Sequence, residues 1–313
     1  MLYSTKTPAA KRLALREMLT PGAARQFPGA FNPLSAKLIG EKEFDGIYIS
    51  GAVLANDLGL PDIGLTSLTE VATRAGQIAR MSDLPAIVDA DTGFGEPMNV
   101  ARTIQELEYA GLAGCHIEDQ FNPKRCGHLD GKNVVDTETM LKRIAAAADA
   151  RIDENFLIMA RTDIRAVEGL DAAIDRAKAM VDAGADAIFP EAMKNVAEFE
   201  AVCNAVDAGV ANTTEFGKSE LFNRQELADA GVALIIYPVT LLRSAMGAAE
   251  RVLDAISEDG TQAREVDNML TRSRLYELVD YEAYNRFDTG IFNFQVPTLD
   301  IDSTARTSRL ATN

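Results

Sequence analysis

Three times in this chain a stretch with helical spacing ends in Ala-Gly and gives way, within two or three residues, to a short apolar run closed by a polar group. These are Ala110-Gly111 before Cys115-His-Ile-Glu-Asp119, Ala183-Gly184 before Ala187-Ile-Phe-Pro-Glu191, and Ala230-Gly231 before Leu234-Ile-Ile-Tyr-Pro238. Glycine ends a helix there because it takes the left-handed backbone without steric cost. Repeated strand-helix units pair their strands in parallel, and the crossover helices cover the sheet. The run Ala233 to Tyr237 agrees: it is apolar without alternation, as a strand covered on both faces must be. A closed barrel and an open doubly wound sheet both satisfy this. No Gly-x-Gly-x-x-Gly follows the first strand, which argues against a dinucleotide-binding sheet. The expected fold is therefore α/β, an eight-stranded (β/α)8 TIM-type barrel.

The pattern predicts strands at residues 25–31, 44–50, 85–89, 114–118, 156–161, 186–190, 210–212 and 232–237, with residues 51–64 as a loop. Helices alternate with them, and Ser67 and Glu70 form a capping box at the start of one at 67–81. Lys6, Lys11, Arg12 and Arg16 precede the first acid, Glu17. That basic run suits either a transit segment or an amphipathic helix, and the spacing at 9–19 favours the helix. An eighth helix is expected at 241–256. A further helical region at 262–284 carries apolar Met269, Leu270, Leu275, Leu278 and Val279, which need a surface to pack on. Residues 1–290 then make one barrel domain with an N-terminal helix and a C-terminal helical appendix, and the polar residues 291–313 a flexible tail.

Lys and Arg number 31 against 47 Asp and Glu, a net charge of -16 that repels polyanions and argues against a nucleic-acid partner. The three cysteines, Cys115, Cys126 and Cys203, have neither Cys-x-x-Cys nor zinc spacing. A reducing, cytoplasmic setting is expected. No apolar run approaches the roughly 20 residues needed to cross a bilayer, so no membrane partner is expected.

In such a barrel the chemistry sits at the carboxyl ends of the strands. Those ends here offer Tyr48-Ile-Ser50-Gly51, Asp89-Ala-Asp91, Glu118-Asp119, Arg161-Thr-Asp163, Glu191, Asn212-Thr-Thr214-Glu215 and Tyr237-Pro238. A lone acid at such a place commonly caps the next helix. Asp89 and Asp91 share a side of their strand, however, and with Asp62 and Glu118 form an oxygen-only cluster, which suits Mg2+ or Mn2+ rather than zinc. The stretch from Gly114 to His128 holds both histidines and two of the three cysteines. His116, in mid-strand, reads as a hydrogen-bonded core residue outside the site, and Cys203 as structural. Cys126 differs, because Lys124, Arg125, Gly127 and His128 give it an accessible, electropositive setting. The loop 122–132 has two glycines and few apolar anchors, so it is expected to be mobile and to close over bound substrate.

Lys124-Arg-Cys-Gly-His128 after His116-Ile-Glu-Asp-Gln120, with Val88-Asp-Ala-Asp-Thr-Gly-Phe-Gly95 upstream, resembles the isocitrate lyase and phosphoenolpyruvate mutase superfamily over residues 10–287. Within it the Lys-Arg-Cys-Gly-His form is similar to the branch that cleaves 2-methylisocitrate to pyruvate and succinate. The resemblance implies a Mg2+-dependent barrel (Mn2+ being an alternative) whose eighth helix swaps between subunits, giving a homotetramer as a dimer of dimers. It places the metal on Asp62, Asp89, Asp91 and Glu118. Contacts to a small di- or tricarboxylate fall on Ser50, Gly51, Arg161, Asn212, Thr214 and Arg243, with Gly127 and His128 in the cysteine loop. The substituent pocket falls on Phe189, Ile236 and Pro238, and the proton donor on Cys126. Tyr48 is then the expected base, Arg161 stabilises developing charge, and Glu191 joins the polar floor. Ala52, where many relatives carry glycine, and the Leu-Asp-Gly-Lys after His128 keep other substrates open: isocitrate, 2,3-dimethylmalate, or oxaloacetate and phosphonopyruvate. A non-catalytic barrel that binds a dicarboxylate is a different class, disfavoured because a binder needs no proton donor opposite a metal.

Overall fold

Eight parallel strands follow one another in the order expected: β1 (Arg25–Pro28), β2 (Ile47–Ile49), β3 (Ala86–Asp89), β4 (Gly114–Glu118), β5 (Leu157–Thr162), β6 (Ala187–Pro190), β7 (Gly209–Asn212) and β8 (Val232–Tyr237). Each pairs with the next from β2 to β8, and β8 pairs with β1. A single parallel bridge, Gly29 to Tyr48, joins β1 to β2 and nearly closes the barrel. The computed structural model describes residues 3–124, 133–217 and 219–292. It divides into two units, the barrel at residues 3–251 and the helical part from Val252 onward.

The helices begin where the sequence supplies caps. Ser67 and Glu70 form the expected box ahead of the helix Leu68–Ala79, and Asn32 with Ser35 does the same for Pro33–Glu41. The three Ala-Gly helix ends are present, with Gly111, Gly184 and Gly231 at φ of 88°, 109° and 85°. One expectation is corrected: residues 51–64 are not all loop, because Gly51–Asp57 is helical. Its burial of Val53, Leu54 and Ala55 outweighs the loop signal that Gly51, Asn56 and Gly59 give in the sequence. A second short helix, Arg165–Glu168, also lay outside the repeat pattern. In the C-terminal unit the helix Thr240–Asp259 ends, and a 3-10 turn (Ala263–Asn268) and helices Arg272–Leu278 and Tyr281–Phe292 follow.

The helix Pro8–Met18 uses its cations structurally. Its buried Lys11 donates to the carbonyls of Ala79 at 2.9 Å and Ser82 at 2.5 Å. Arg12 donates to Leu112 O and Glu108 O, and Arg16 pairs with Asp186 at 2.6 Å. The carbonyls these side chains reach lie at or just beyond helix C-termini or ahead of strand starts, where orphan C=O groups collect. Leu15 from the same helix packs with Phe27, Leu157 and Leu234 in the cluster that fills the barrel.

The seam between β1 and β8 leaves no room for a side chain at Gly29, where a Cβ would lie 2.1 Å from Pro238 O and 2.8 Å from Tyr237 O. Both atoms are backbone, so relief requires moving strands. Gly29→Ala is expected to lower the unfolding free energy by about 2–3 kcal/mol, read from the urea midpoint at unchanged m-value; a midpoint equal to wild type would show that the seam is slack.

Candidate active site

Strand side chains alternate, so residues two apart share a face. Tyr48, Ile87, Met159, Phe189, Val210 and Ile236 all point into the barrel cluster. The residues two further on are Ser50, Asp89, Arg161, Glu191, Asn212 and Pro238, and all six line a cavity of about 290 Å³. Asp62, Thr214 and Arg243 line it as well, as do Tyr48 and Phe189 from the layer below. Gly51, Asp91, Glu118 and Ile236 lie outside this lining. Gly51 N–H donates to Asp89 at 3.2 Å, Asp91 lines a neighbouring cleft, and Glu118 and Ile236 are buried. Cys126, Gly127 and His128, and the loop 122–132 beyond Lys124, fall outside the described residues.

Arg161 sits at the centre of the buried charges. Its guanidinium is 3.0 Å from Asp163, 3.2 Å from Glu118 and 3.5 Å from Glu191, and stands over the Phe189 ring. Against the cost of burial, these carboxylates hold its proton even more firmly than usual. Lys124 is buried as well, paired with Asp91 at 2.7 Å and with Asp62.

The acids divide. Burial works against Asp89, yet neighbouring positive charge brings its carboxyl to about 2. His116, protonated only below about 4 because of its burial, is the first of those charges, and Lys124 and Arg161 follow it. Burial and then the charge of Asp89 push Asp91 up to about 6, and burial raises Glu118 well above its ordinary value. Both Glu118 carboxylate oxygens are buried without an aligned hydrogen bond, and so is Asp91 Oδ1.

A divalent cation fits this donor set. The donors are all oxygen, among the described residues both Glu118 oxygens lack an aligned hydrogen bond and Asp91 Oδ1 meets the Lys124 ammonium, and Gly51 lets the backbone approach Asp89 and Asp91. A Cβ there would fall 2.9 Å from Asp89 Oδ2 and 3.2 Å from Asp91 Oδ1. Among the described residues no three acids are already gathered around one point. The ammonium of Lys124, between Asp62 and Asp91, holds positive charge in their midst.

Two residues in or beside this machinery were read differently from the sequence. His116 is indeed a buried, hydrogen-bonded residue, but it is not outside the site. Its Nε2 lies 2.7 Å from Tyr48 Oη and 3.6 Å from Asp89, and its ring stacks on Tyr48 and meets Phe189 edge-on. The signal was its parity with Glu118, two residues on along the same strand. Lys124 had been assigned only to the loop, and its place among the acids has no local sequence signature. Cys203 is structural as expected: its thiol is pushed up to about 11 by burial, and a Cβ on Gly209 would lie 2.5 Å from its sulfur.

The family model for phosphoenolpyruvate phosphomutase matches residues 15–257. The chain belongs to the PEP mutase/isocitrate lyase superfamily. Within the superfamily it is 59% identical over 295 residues to probable 2-methylisocitrate lyase 2 of Corynebacterium glutamicum, covering 94% of this chain and 96% of that one. It is 46% identical to the 2-methylisocitrate lyase of Escherichia coli K12, covering 89% and 95%. Among solved structures it resembles oxaloacetate acetylhydrolase with 3,3-difluorooxalacetate (TM-score 0.85, 32% identity, 91% and 98% covered) and 2,3-dimethylmalate lyase (0.83, 32%, 91% and 96%). Phosphonopyruvate hydrolase with oxalate and Mg2+ is similar as well (0.80, 29%, 91% and 99%).

Removing Arg161 would leave Glu118, Asp163 and Glu191 buried together without their shared cation. Arg161→Met is expected to cost about 3–5 kcal/mol of stability, and a urea midpoint within experimental error of wild type would show that the acids are neutralised elsewhere.

Proposed function

We propose that the substrate of this carbon–carbon lyase is 2-methylisocitrate, split into pyruvate and succinate. The observation that carries the reading is the cavity of about 290 Å³, whose lining combines Arg161 and Arg243 with Asp62 and Asp89, two of the four acids suited to a cation. The names of the relatives at 46–59% identity choose the substrate among those such a cavity would take.

Asp62, Asp89, Asp91 and Glu118 would hold Mg2+, with Mn2+ as the alternative. Bound there, the cation would polarise the hydroxyl and carboxylate of the substrate carbon that becomes the pyruvate carbonyl. Ser50, Gly51, Asn212, Thr214 and Arg243 orient the carboxylates, and Phe189, Ile236 and Pro238 receive the methyl-bearing end. Arg161 offsets charge on the oxygen as the carbon–carbon bond breaks. Tyr48 is the proposed acceptor of the hydroxyl proton. In the free chain burial and then Asp89 keep its phenol protonated, opposed by Arg161, so it can accept a proton only as it passes its own on, for which His116 Nε2 lies 2.7 Å away. The bond electrons pass to the succinate fragment as a carbanion in its aci form, which Cys126 protonates, so the thiol proton replaces the broken bond. Glu191, which accepts from Asn212 Nδ2 at 3.4 Å, completes the polar floor. The loop 122–132 is proposed to close over the substrate, and the eighth helix, which precedes the C-terminal helical appendix, to exchange between subunits of a cytoplasmic homotetramer. The barrel and this appendix would form one domain, with residues 291–313 as a flexible tail. No helix among the described residues is long and apolar enough to cross a membrane.

Purified protein with Mg2+, assayed against 2-methylisocitrate, isocitrate, 2,3-dimethylmalate, oxaloacetate and phosphonopyruvate, is expected to turn over the first fastest. Faster glyoxylate release from isocitrate would overturn the assignment. Cys126→Ser should lower kcat by about 10³ or more while leaving Mg2+ binding intact, and near-normal turnover would remove Cys126 from the chemistry.

The acid pair supplies a pH test. Asp91 titrates near 6 when folded against 3.8 ordinarily, so between those values the folded chain binds more protons and the metal-free protein loses stability as pH rises. A cation competes with that proton. The rise in Tm on adding Mg2+ should be full above pH 6 and fade below it; an equal rise at about pH 5 and pH 8 would place the cation elsewhere.

A further inference from the structure

Arg243 is held in an unusual way. Its Nη1 makes three contacts with one loop: Thr214 Oγ1 at 3.2 Å, Glu215 O at 2.7 Å and Glu215 Oε2 at 3.0 Å. Among the described residues Nε and Nη2 donate to no protein group, and the side chain, 41% exposed, lines the cavity. The other oxygen of Glu215 accepts from Thr240 Oγ1, at the first residue of the helix that carries Arg243. One carboxylate therefore spans from the end of β7 to both the start of that helix and the guanidinium it presents.

The next residue is a second, independent sign. Phe216 is 95% exposed, so it contributes nothing to a core, and it sits at φ 60°, a conformation a bulky side chain adopts only at a cost. Its ring lies 5.4 Å from the Arg243 guanidinium carbon, a cation–π distance. The loop thus turns a strained aromatic outward onto the same group that Glu215 holds from its edge.

We infer that Glu215 is a positioning residue for substrate binding: with Phe216 it fixes Arg243 so that the two remaining guanidinium nitrogens meet a substrate carboxylate as a ready fork. This rests on the reading of the cavity as a carboxylate site. A guanidinium bonds a carboxylate through two parallel N–H groups in a plane, so anchoring one nitrogen fixes the plane of the others. The free side chain would otherwise lose rotamer freedom on binding, which weakens affinity without touching the bond-breaking step. Glu215 does this at an electrostatic cost, because it adds a negative charge beside an anion site. That cost makes a carboxylate an odd choice unless the geometry matters more.

The test measures succinate affinity by calorimetry in Mg2+, and KM and kcat with 2-methylisocitrate, for wild type, Glu215→Ala and Glu215→Gln. The Gln carbonyl oxygen still accepts from Arg243 while its amide donates to Thr240 Oγ1, so geometry is kept and charge removed. Loss of a contact that acts equally on substrate and transition state raises KM alone, so Glu215→Ala should weaken succinate binding and raise KM by about tenfold with kcat within about threefold. Glu215→Gln should return both to within about threefold of wild type. Binding by Glu215→Ala within threefold of wild type, or an equal loss in Glu215→Gln, overturns the proposal. Should Glu215→Ala fail to fold, Glu215→Asp, one methylene too short for the clamp, is held to the same tenfold criterion. Wild-type protein that binds succinate yet releases no pyruvate from 2-methylisocitrate sinks the substrate assignment, and the variants still decide the clamp; wild-type protein that binds no succinate overturns both.

Discussion

The guanidinium of Arg161 is the group the catalytic end of the barrel cannot lose. A nearly closed sheet with apolar layers outside it leaves little water to solvate charge, yet the inward positions at its carboxyl end carry Asp89, Glu118, Asp163 and Glu191, all buried. Burying one unpaired carboxylate costs several kcal/mol, so a crowd of them is tolerable only around fixed positive charge. Arg161 touches three of the four, and Lys124 approaches the remaining side through Asp91 and Asp62. Two cations do not complete the compensation. The raised positions of Asp91 and Glu118 are what remains, and a surplus of that kind is what a divalent cation would relieve.

The opposite end of the barrel solves a different problem with the same residue types. There the groups in need are backbone carbonyls left over at helix ends, and Lys11 and Arg12 satisfy them directly from the helix Pro8–Met18. The basic character of the N-terminal stretch is thus used inside the molecule, on carbonyls as well as on Asp153 and Asp186, whereas Arg161 and Lys124 meet carboxylates, and Arg161 also the Phe189 ring. Identical side chains stabilise at one end and keep the other end charged and reactive.

The fold was legible because its signals are local. Ala-Gly helix ends, capping boxes and continuous apolar strands act over a few residues, and strands β4 and β8 lie where the pattern put them. The helix Gly51–Asp57 escaped because its stability comes from burial of Val53 and Leu54, a tertiary effect that overrides the glycines and asparagine around it. The candidate site was legible to the extent that it follows strand parity: Ser50, Asp89, Arg161, Glu191 and Asn212 all meet at the cavity. His116 obeys the same parity and was set aside only because its type is common in cores. Lys124 and Glu215 were placed near the site, but their partners could not be read, since these are distant in sequence: Asp62 and Asp91 for the first, Thr240 and Arg243 for the second.

These two residues share a logic that bears on how the cavity works. Each places a charge of the protein's own next to a group meant for something else: an ammonium among carboxylates suited to a cation, and a carboxylate against a guanidinium suited to a substrate anion. The arrangements differ in what must happen next. Glu215 occupies only one nitrogen of Arg243 and leaves the rest of the fork facing the cavity, so an arriving anion adds to the contact without breaking it. The contact of Lys124 with Asp91 uses an oxygen that has no other donor among the described residues, so a cation taking that oxygen must compete with the ammonium. A cation taking that oxygen would leave the ammonium its contact with Asp62, so Lys124 would stay paired while Asp91 changed partner.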